Sequence, residues 1–176
     1  AVSRAFLATH LVATVRSPGS SRSTHRTRYT RPVSNTLKVG DIVERYRVES
    51  LLGEGGTAQV YRVRHTTLET VHALKVLTLD HPEIRGRLIV EGKAQAKLSH
   101  PNIVPVRDVL DHGGVPALLM DFVPGPSLAD RIAEGIPHPD EVTRLFGHIV
   151  EGVAYAHSLD LVHRDLKPAN VLLDVS

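Results

Sequence analysis

From Tyr46 to Val123 the chain is a succession of short strand-patterned runs, broken by glycine turns and one helix, and this succession constrains the fold more than any other feature. Tyr46-Arg47-Val48-Glu49-Ser50-Leu51-Leu52 alternates like a half-exposed strand, Gly53-Glu54-Gly55-Gly56 turns the chain, and Ala58 to Arg64 returns. Val71 to Leu77 reads as a third strand. Ile103 to Leu110 and Val115 to Val123 make two more around Asp111-His112-Gly113-Gly114, whose glycines permit positive φ. Between the third and fourth runs Pro82 opens a helix at an N1-like position, and Ile84, Leu88, Ala94 and Leu98 recur at helical intervals until Ser99-His100-Pro101 stops it. The expected product is a small five-stranded antiparallel sheet with one helix.

Beyond Val123 the period changes. Pro124-Gly125-Pro126 ends the last strand, and Ser127 is placed to cap a short helix reaching about Ala133. From Pro139 to Leu159, Val142, Leu145, Phe146, Ile149, Val150, Val153 and His157 trace one face at spacings of 3, 4 and 7, which predicts a buried support helix. Leu161-Val162 and Val171-Leu172-Leu173 then bracket a polar loop, His163-Arg164-Asp165-Leu166-Lys167-Pro168-Ala169-Asn170.

That loop matches H-R-D-x-K-x-x-N, the catalytic loop of serine/threonine protein kinases, and other motifs stand upstream in the order this family requires. Leu52-Gly53-x-Gly55-x-x-Ala58-x-Val60 resembles the family's G-x-G-x-x-G-x-V loop, with Ala58 in the place of the third glycine, and Ala73-Leu74-Lys75 resembles its A-I-K. Alone, a glycine-rich turn is only a turn, and a lone lysine in an apolar strand usually reaches out to water. The chain therefore resembles a eukaryotic-type serine/threonine kinase domain of the bacterial kind, of class α+β. The resemblance implies an N-lobe of five antiparallel strands and a helix, followed by the first helices and catalytic loop of an incomplete C-lobe.

The resemblance also distributes roles. Asp165 is the expected acceptor of the substrate hydroxyl proton, Lys167 the group that steadies the transferring phosphoryl, and Asn170 a ligand of Mg2+. Lys75 is the expected partner of the α- and β-phosphates of ATP, with Glu91 pairing to it. Glu91 is preferred over Glu83, whose first-turn position is explained by the helix dipole. Leu52, Gly53, Glu54, Gly55, Gly56, Val60 and Ala73 would cover the nucleotide. Met120 would guard the back of the adenine pocket, backbone groups of Asp121 and Val123 would bind the adenine edge, and Leu173 would floor it. The family's Asp-Phe-Gly triplet is absent after Asn170, so the domain is expected to stop before it, with weak transfer by the chain alone.

Composition sets the rest. The net charge of +2 conceals an asymmetry: residues 1–40 hold seven Lys or Arg and no acid, which leaves the remainder at −5 and argues against a nucleic-acid-binding core. The first 37 residues carry twelve Ser or Thr and no sustained period, so residues 1–40 are expected to be a disordered basic tail without a packed face. Its composition also resembles an organelle transit peptide, though a solvated tail is the preferred reading and the location expected is cytoplasmic. Residues 41–123 are expected to form the N-lobe and hinge, and 124–176 the partial C-lobe. No cysteine is present, which removes disulfides and thiolate chemistry. No window is apolar for the length a membrane span needs. The expected partners are ATP and a protein bearing a Ser or Thr hydroxyl. The alternative reading is a nucleotide-binding pseudokinase or scaffold, whose mark would be the loss of Lys75, Asp165 or Asn170; all three are intact.

Overall fold

In the computed structural model, which describes residues 4–8, 12–13, 36–78 and 81–175, the alternating runs become one sheet. Two short strands, β1 (Arg4–Leu7) and β2 (Val12–Ala13), precede it and pair elsewhere. The sheet itself contains β3 (Ile42–Val43), β4 (Tyr46–Glu54), β5 (Ala58–His65), β6 (Val71–Leu77), β7 (Val106–His112) and β8 (Val115–Asp121). They lie in the order β3-β4-β5-β6-β8-β7, every neighbouring pair antiparallel. The sixth strand, β3, is an addition to the five expected. It is two residues long, too short to show a period, and is held by a tight reversal in which Glu44 takes φ 53° while Val43 is buried opposite Tyr46.

Strand alternation sends two sets of side chains to opposite faces. Val48, Tyr61, Val63, Leu74, Val76 and Leu119 pack together on one face. On the other, Leu88 of helix α1 (Pro82–Gln95) meets Leu77, Val115 and Leu118. The helix begins as the sequence predicts, with Pro82 in the first turn and the His81 ring accepting from the Glu83 amide. It lies close because residue 92 is glycine: a Cβ there would stand 2.6 Å from Leu118 Cδ2. The buried Gln95 donates to Val104 O (2.9 Å), fastening the helix to the segment that enters β7.

Beyond the sheet, α2 (Leu128–Ala133) is capped by Ser127 through a capping box with Asp130, and α3 (Pro139–Ser158) is the long helix expected. Its buried edge is narrower than the sequence predicts. Leu145, Gly152 and Ala156 are buried and Ile149 and Val153 pack at the margin, whereas Val142, Phe146, Val150 and His157 are exposed, Phe146 at 64%. The long helix faces β9 (Leu161–Val162), β10 (Val171–Asp174) and β1, whose Leu161, Val171, Leu173, Ala5 and Leu7 share one core with Leu145 and Ala156.

The presence of β1 in that core corrects the expectation of a wholly disordered tail. Arg4–Leu7 pairs antiparallel with β10, and Ala5 and Leu7 are 1% exposed. Four residues alternating exposed, buried, half-buried and buried suffice for a strand once a partner edge exists, and that edge lies more than 160 residues away in sequence. At the tail's other end the Leu37 amide donates to the Tyr61 hydroxyl (3.0 Å). Residues 14–35, the Arg- and Ser-rich part of the tail, lie outside the described residues. Among the described residues no helix is long and apolar enough to cross a membrane.

Candidate active site

Between the sheet and the helical part lies a cleft of about 750 Å³, a size suited to a nucleotide-scale ligand. Its roof is the β4–β5 hairpin. The strands stay paired to Glu54 opposite Gln59, and the Gly55 amide closes the reversal on Ala58 O at 2.8 Å. None of Gly53, Gly55 and Gly56 has positive φ, and a Cβ on Gly53 or Gly56 would meet nothing within 4 Å. The fold does not itself demand glycine there. What glycine preserves is open access from the cleft to the backbone N–H groups, which a phosphate can use. Ala58, in place of a third glycine, has ordinary φ, and its methyl packs with the Leu77 and Leu88 cluster.

Behind the roof Lys75 stands on β6 opposite Val60, with its residue 7% exposed. An ammonium that deep needs a counter-charge, and Glu91 in the middle of α1 supplies it at 2.9 Å between Nζ and Oε1. The spacing of the two residues along strand and helix thus does bring them together. Below them Leu52, Val60, Ala73, Met120 and Val123 form an apolar slot. The Asp121 side chain turns out of the slot to a two-pronged ion pair with Arg107, 2.6 Å on both arms, which raises the Arg107 pKa through that hydrogen bond.

The floor corrects one assignment. Leu173, expected beneath the adenine, is fully buried in the core with Val171, and it is Leu172 that lines the cleft. Strand alternation separates neighbours in β10 to opposite faces, so the choice between two leucines depends on which face meets the core. Ser127, Asp130, Val104 and the N-terminal Ala8 also line the cleft without having been assigned to it. Ser127 carried a visible signal, the capping pattern, but that pattern reports a helix start and not a cleft. The Ser127 hydrogen bonds hold the Asp130 carboxyl below its usual pKa.

The far wall is the loop between β9 and β10. Pro168–Asn170 makes a 3₁₀ turn, closed by the Asn170 amide on Lys167 O (2.9 Å), which folds Asn170 back over Asp165. Asn170 Nδ2 donates to Asp165 O (2.8 Å) and to Asp165 Oδ2 (3.0 Å), and Lys167 Nζ sits 2.8 Å from the same Oδ2. The carboxylate is thereby fixed in direction while its side chain stays 43% exposed toward the cleft. Of the residues predicted for the site, Leu52, Gly53, Glu54, Gly55, Gly56, Val60, Ala73, Lys75, Met120, Asp121, Val123, Asp165, Lys167 and Asn170 line this one cleft. Glu91 stands behind Lys75, and Leu173 lies outside.

Comparison with known proteins agrees with this arrangement. The protein kinase domain family matches residues 46–176. The chain is 40% identical over 144 residues to the serine/threonine-protein kinase PknF of Mycobacterium tuberculosis (strain ATCC 25618 / H37Rv), a match covering 78% of this chain and 30% of that protein. It is 35% identical over 134 residues to the serine/threonine-protein kinase PrkC of Bacillus subtilis (strain 168), covering 74% of this chain and 21% of that protein. The crystal structure of the Mycobacterium tuberculosis PknI kinase domain superposes with a TM-score of 0.66 at 31% identity, over 80% of this chain and 59% of that one. The chain thus spans under a third of the length of these two relatives. On the extent of the family match, the chain belongs to the protein kinases, as a domain of the bacterial eukaryotic-like serine/threonine kind.

Proposed function

We propose that the cleft binds MgATP and that the protein of which this domain is part transfers the γ-phosphoryl group to a Ser or Thr hydroxyl of another protein. One observation carries the reading: Asp165, fixed by Lys167 and Asn170, and Lys75, paired from behind by Glu91, line a single cleft roofed by a bare glycine turn. Lys75 is assigned to the α- and β-phosphates, with Glu91 holding it in place. The adenine is assigned to the slot between Leu52, Val60, Ala73, Met120 and Leu172. For its polar edge the Asp121 carbonyl and Val123 amide are chosen, because the Asp121 amide donates to Pro105 O (3.1 Å) and the Val123 carbonyl accepts from the Gly125 amide (3.0 Å).

Asp165 is assigned to receive the hydroxyl proton as the oxygen–phosphorus bond forms and the bond to the bridging oxygen of ADP breaks. Lys167, beside the same carboxylate oxygen, is assigned to the transferring group. Both amide hydrogens of Asn170 are directed to Asp165, so its carbonyl oxygen is the atom turned toward a hard cation, and that neutral oxygen donor fits Mg2+. When bound, Mg2+ neutralises phosphate charge. The test is phosphate transfer from radiolabelled ATP to a generic protein substrate. Transfer that is abolished by Asp165→Asn is expected of a protein that contains this domain. Retained transfer in Asp165→Asn defeats the assignment of the base, and nucleotide binding without any transfer supports the scaffold reading instead.

A further inference from the structure

Beside the adenine slot, the cleft-side face of the sheet continues as a field of arginines. On β5, Val60 belongs to the slot, Arg62 is the next residue on the same face, and Arg64 is the one after. Ala73 of β6, which pairs with Arg62, also belongs to the slot. Arg47 of β4 stands directly opposite Arg64, a like-charge pair of the kind that costs a sheet stability. Arg47 is exposed, and it has no ion pair among the described residues. A pairing that works against the fold invites a reason outside it.

The other two arginines are held in place. A bulge between Val48 and Ser50 takes Glu49 out of the ladder, and its carboxylate pairs with Arg62 Nε at 2.9 Å and with Arg64 Nε. Arg62 lies over Phe122, its Cζ 5.2 Å from the ring centroid, and Arg64 Nη1 donates to Glu69 O (2.8 Å). The Arg64 hydrogen bond, aided by the charges of Arg64 and Arg62 and opposed by burial, holds the Glu49 carboxyl below its usual pKa. Glu49 is thus an anion, one ion-paired carboxylate among three guanidinium groups. Planar forks already fixed in direction lose little freedom when they meet a further carboxylate.

We propose that this face, Arg47, Arg62 and Arg64 with Phe122 beside them, is a docking surface for an extended acidic segment of another protein. Charge complementarity selects the partner. Residues 41–176 sum to −5, so a cluster of cations outnumbering its carboxylate runs against the trend of the domain, and that trend repels a polyanion such as nucleic acid. Residues 1–40 hold no acid, so this chain's own N-terminal part has nothing to pair with the face. Spacing selects the extended form. Arg62 and Arg64 repeat at every second residue of a strand, about 6.6–6.8 Å, which is also the step between alternate side chains of an extended peptide. Two carboxylates at alternate positions therefore each meet a guanidinium, in charge-assisted hydrogen bonds. Docking of this kind needs neither nucleotide nor transfer, so it does not rest on the function proposed above.

The probe is a fluorescein-labelled peptide of alternating Glu and Ser, titrated into the full chain without nucleotide and followed by anisotropy. The native chain should bind it, and more weakly as salt rises. Arg47→Glu, at an exposed residue without an ion pair, should weaken binding about tenfold or more with the thermal melt unchanged. Arg62→Gln combined with Arg64→Gln should weaken it as much; if that double variant does not fold, Arg47→Glu decides alone. Replacing each of Arg16, Arg22, Arg26, Arg28 and Arg31 with Gln should leave binding in place. An Ala-rich helical peptide of equal charge should bind more weakly than the extended one. The proposal is overturned by a native chain that does not bind, by binding indifferent to Arg47→Glu, or by binding lost on neutralising residues 16–31 instead of the face. Equal binding of the helical peptide overturns it too, as does tighter binding, through the same arginines, of a single-stranded oligonucleotide of equal charge.

Discussion

Two adjacent leucines separate what a motif says from what a strand does. Leu172 and Leu173 are chemically identical, yet alternation in β10 gives one to the cleft and the other to the core with Ala5, Leu7 and Val171. Leu173→Ala is expected to cost about 2–5 kcal/mol of stability, as for other buried leucines. Leu172→Ala should cost far less stability and instead weaken ATP binding. Thermal melts with and without MgATP distinguish the two: if Leu173→Ala is the one that lowers nucleotide affinity while leaving the apo melt unmoved, the floor has been placed on the wrong residue. The trio proposed for catalysis needed no such arbitration. Asp165, Lys167 and Asn170 are legible through the resemblance to the kinase loop at fixed spacing, and the 3₁₀ turn then brings them together.

Elements were legible where their signal was local. The β4–β5 hairpin, the Pro82 and Ser127 helix starts and the turn at Gly113 and Gly114, with φ 61° and 82°, follow from residues within a few positions of one another. The buried edge of α3 was not local. Its stripe is visible in the sequence, but the part that is covered depends on β1, and the segment that contains β1 reads as part of a disordered basic tail. On β6, His72 lies edge-on to Tyr46 at 5.6 Å, and burial lowers its pKa below the ordinary 6.5, aided by Arg107 and His65 and opposed by Asp121. The folded chain therefore binds that proton less readily than the unfolded chain. Stability should be full above pH 6.5 and decline as pH falls through the lowered value. Urea melts of the native chain and His72→Gln between pH 7 and 5 should show the native chain losing more; parallel losses would remove His72 as a cause.

At the scale of the molecule, the order of glycine turn, Lys75, Glu91, the segment 121–123 and the loop 163–170 was readable from the resemblance, and the structure folds it around one cleft, with Glu91 behind Lys75. Long-range pairing was not readable. Nothing near Arg4 signals that its partner is Asp174, because a strand shows its own period and not the edge it will join. The cleft joins a sheet-borne cation to a loop-borne carboxylate and amide, and the central claim is that MgATP bridges them. Isothermal titration of ATP into the chain, with and without Mg2+, and into Lys75→Met tests it most directly. The account predicts one-to-one binding that Mg2+ strengthens, weakened about tenfold or more in Lys75→Met by loss of a charge-assisted contact. Binding that ignores both Mg2+ and the loss of Lys75, or no binding at all, would contradict it.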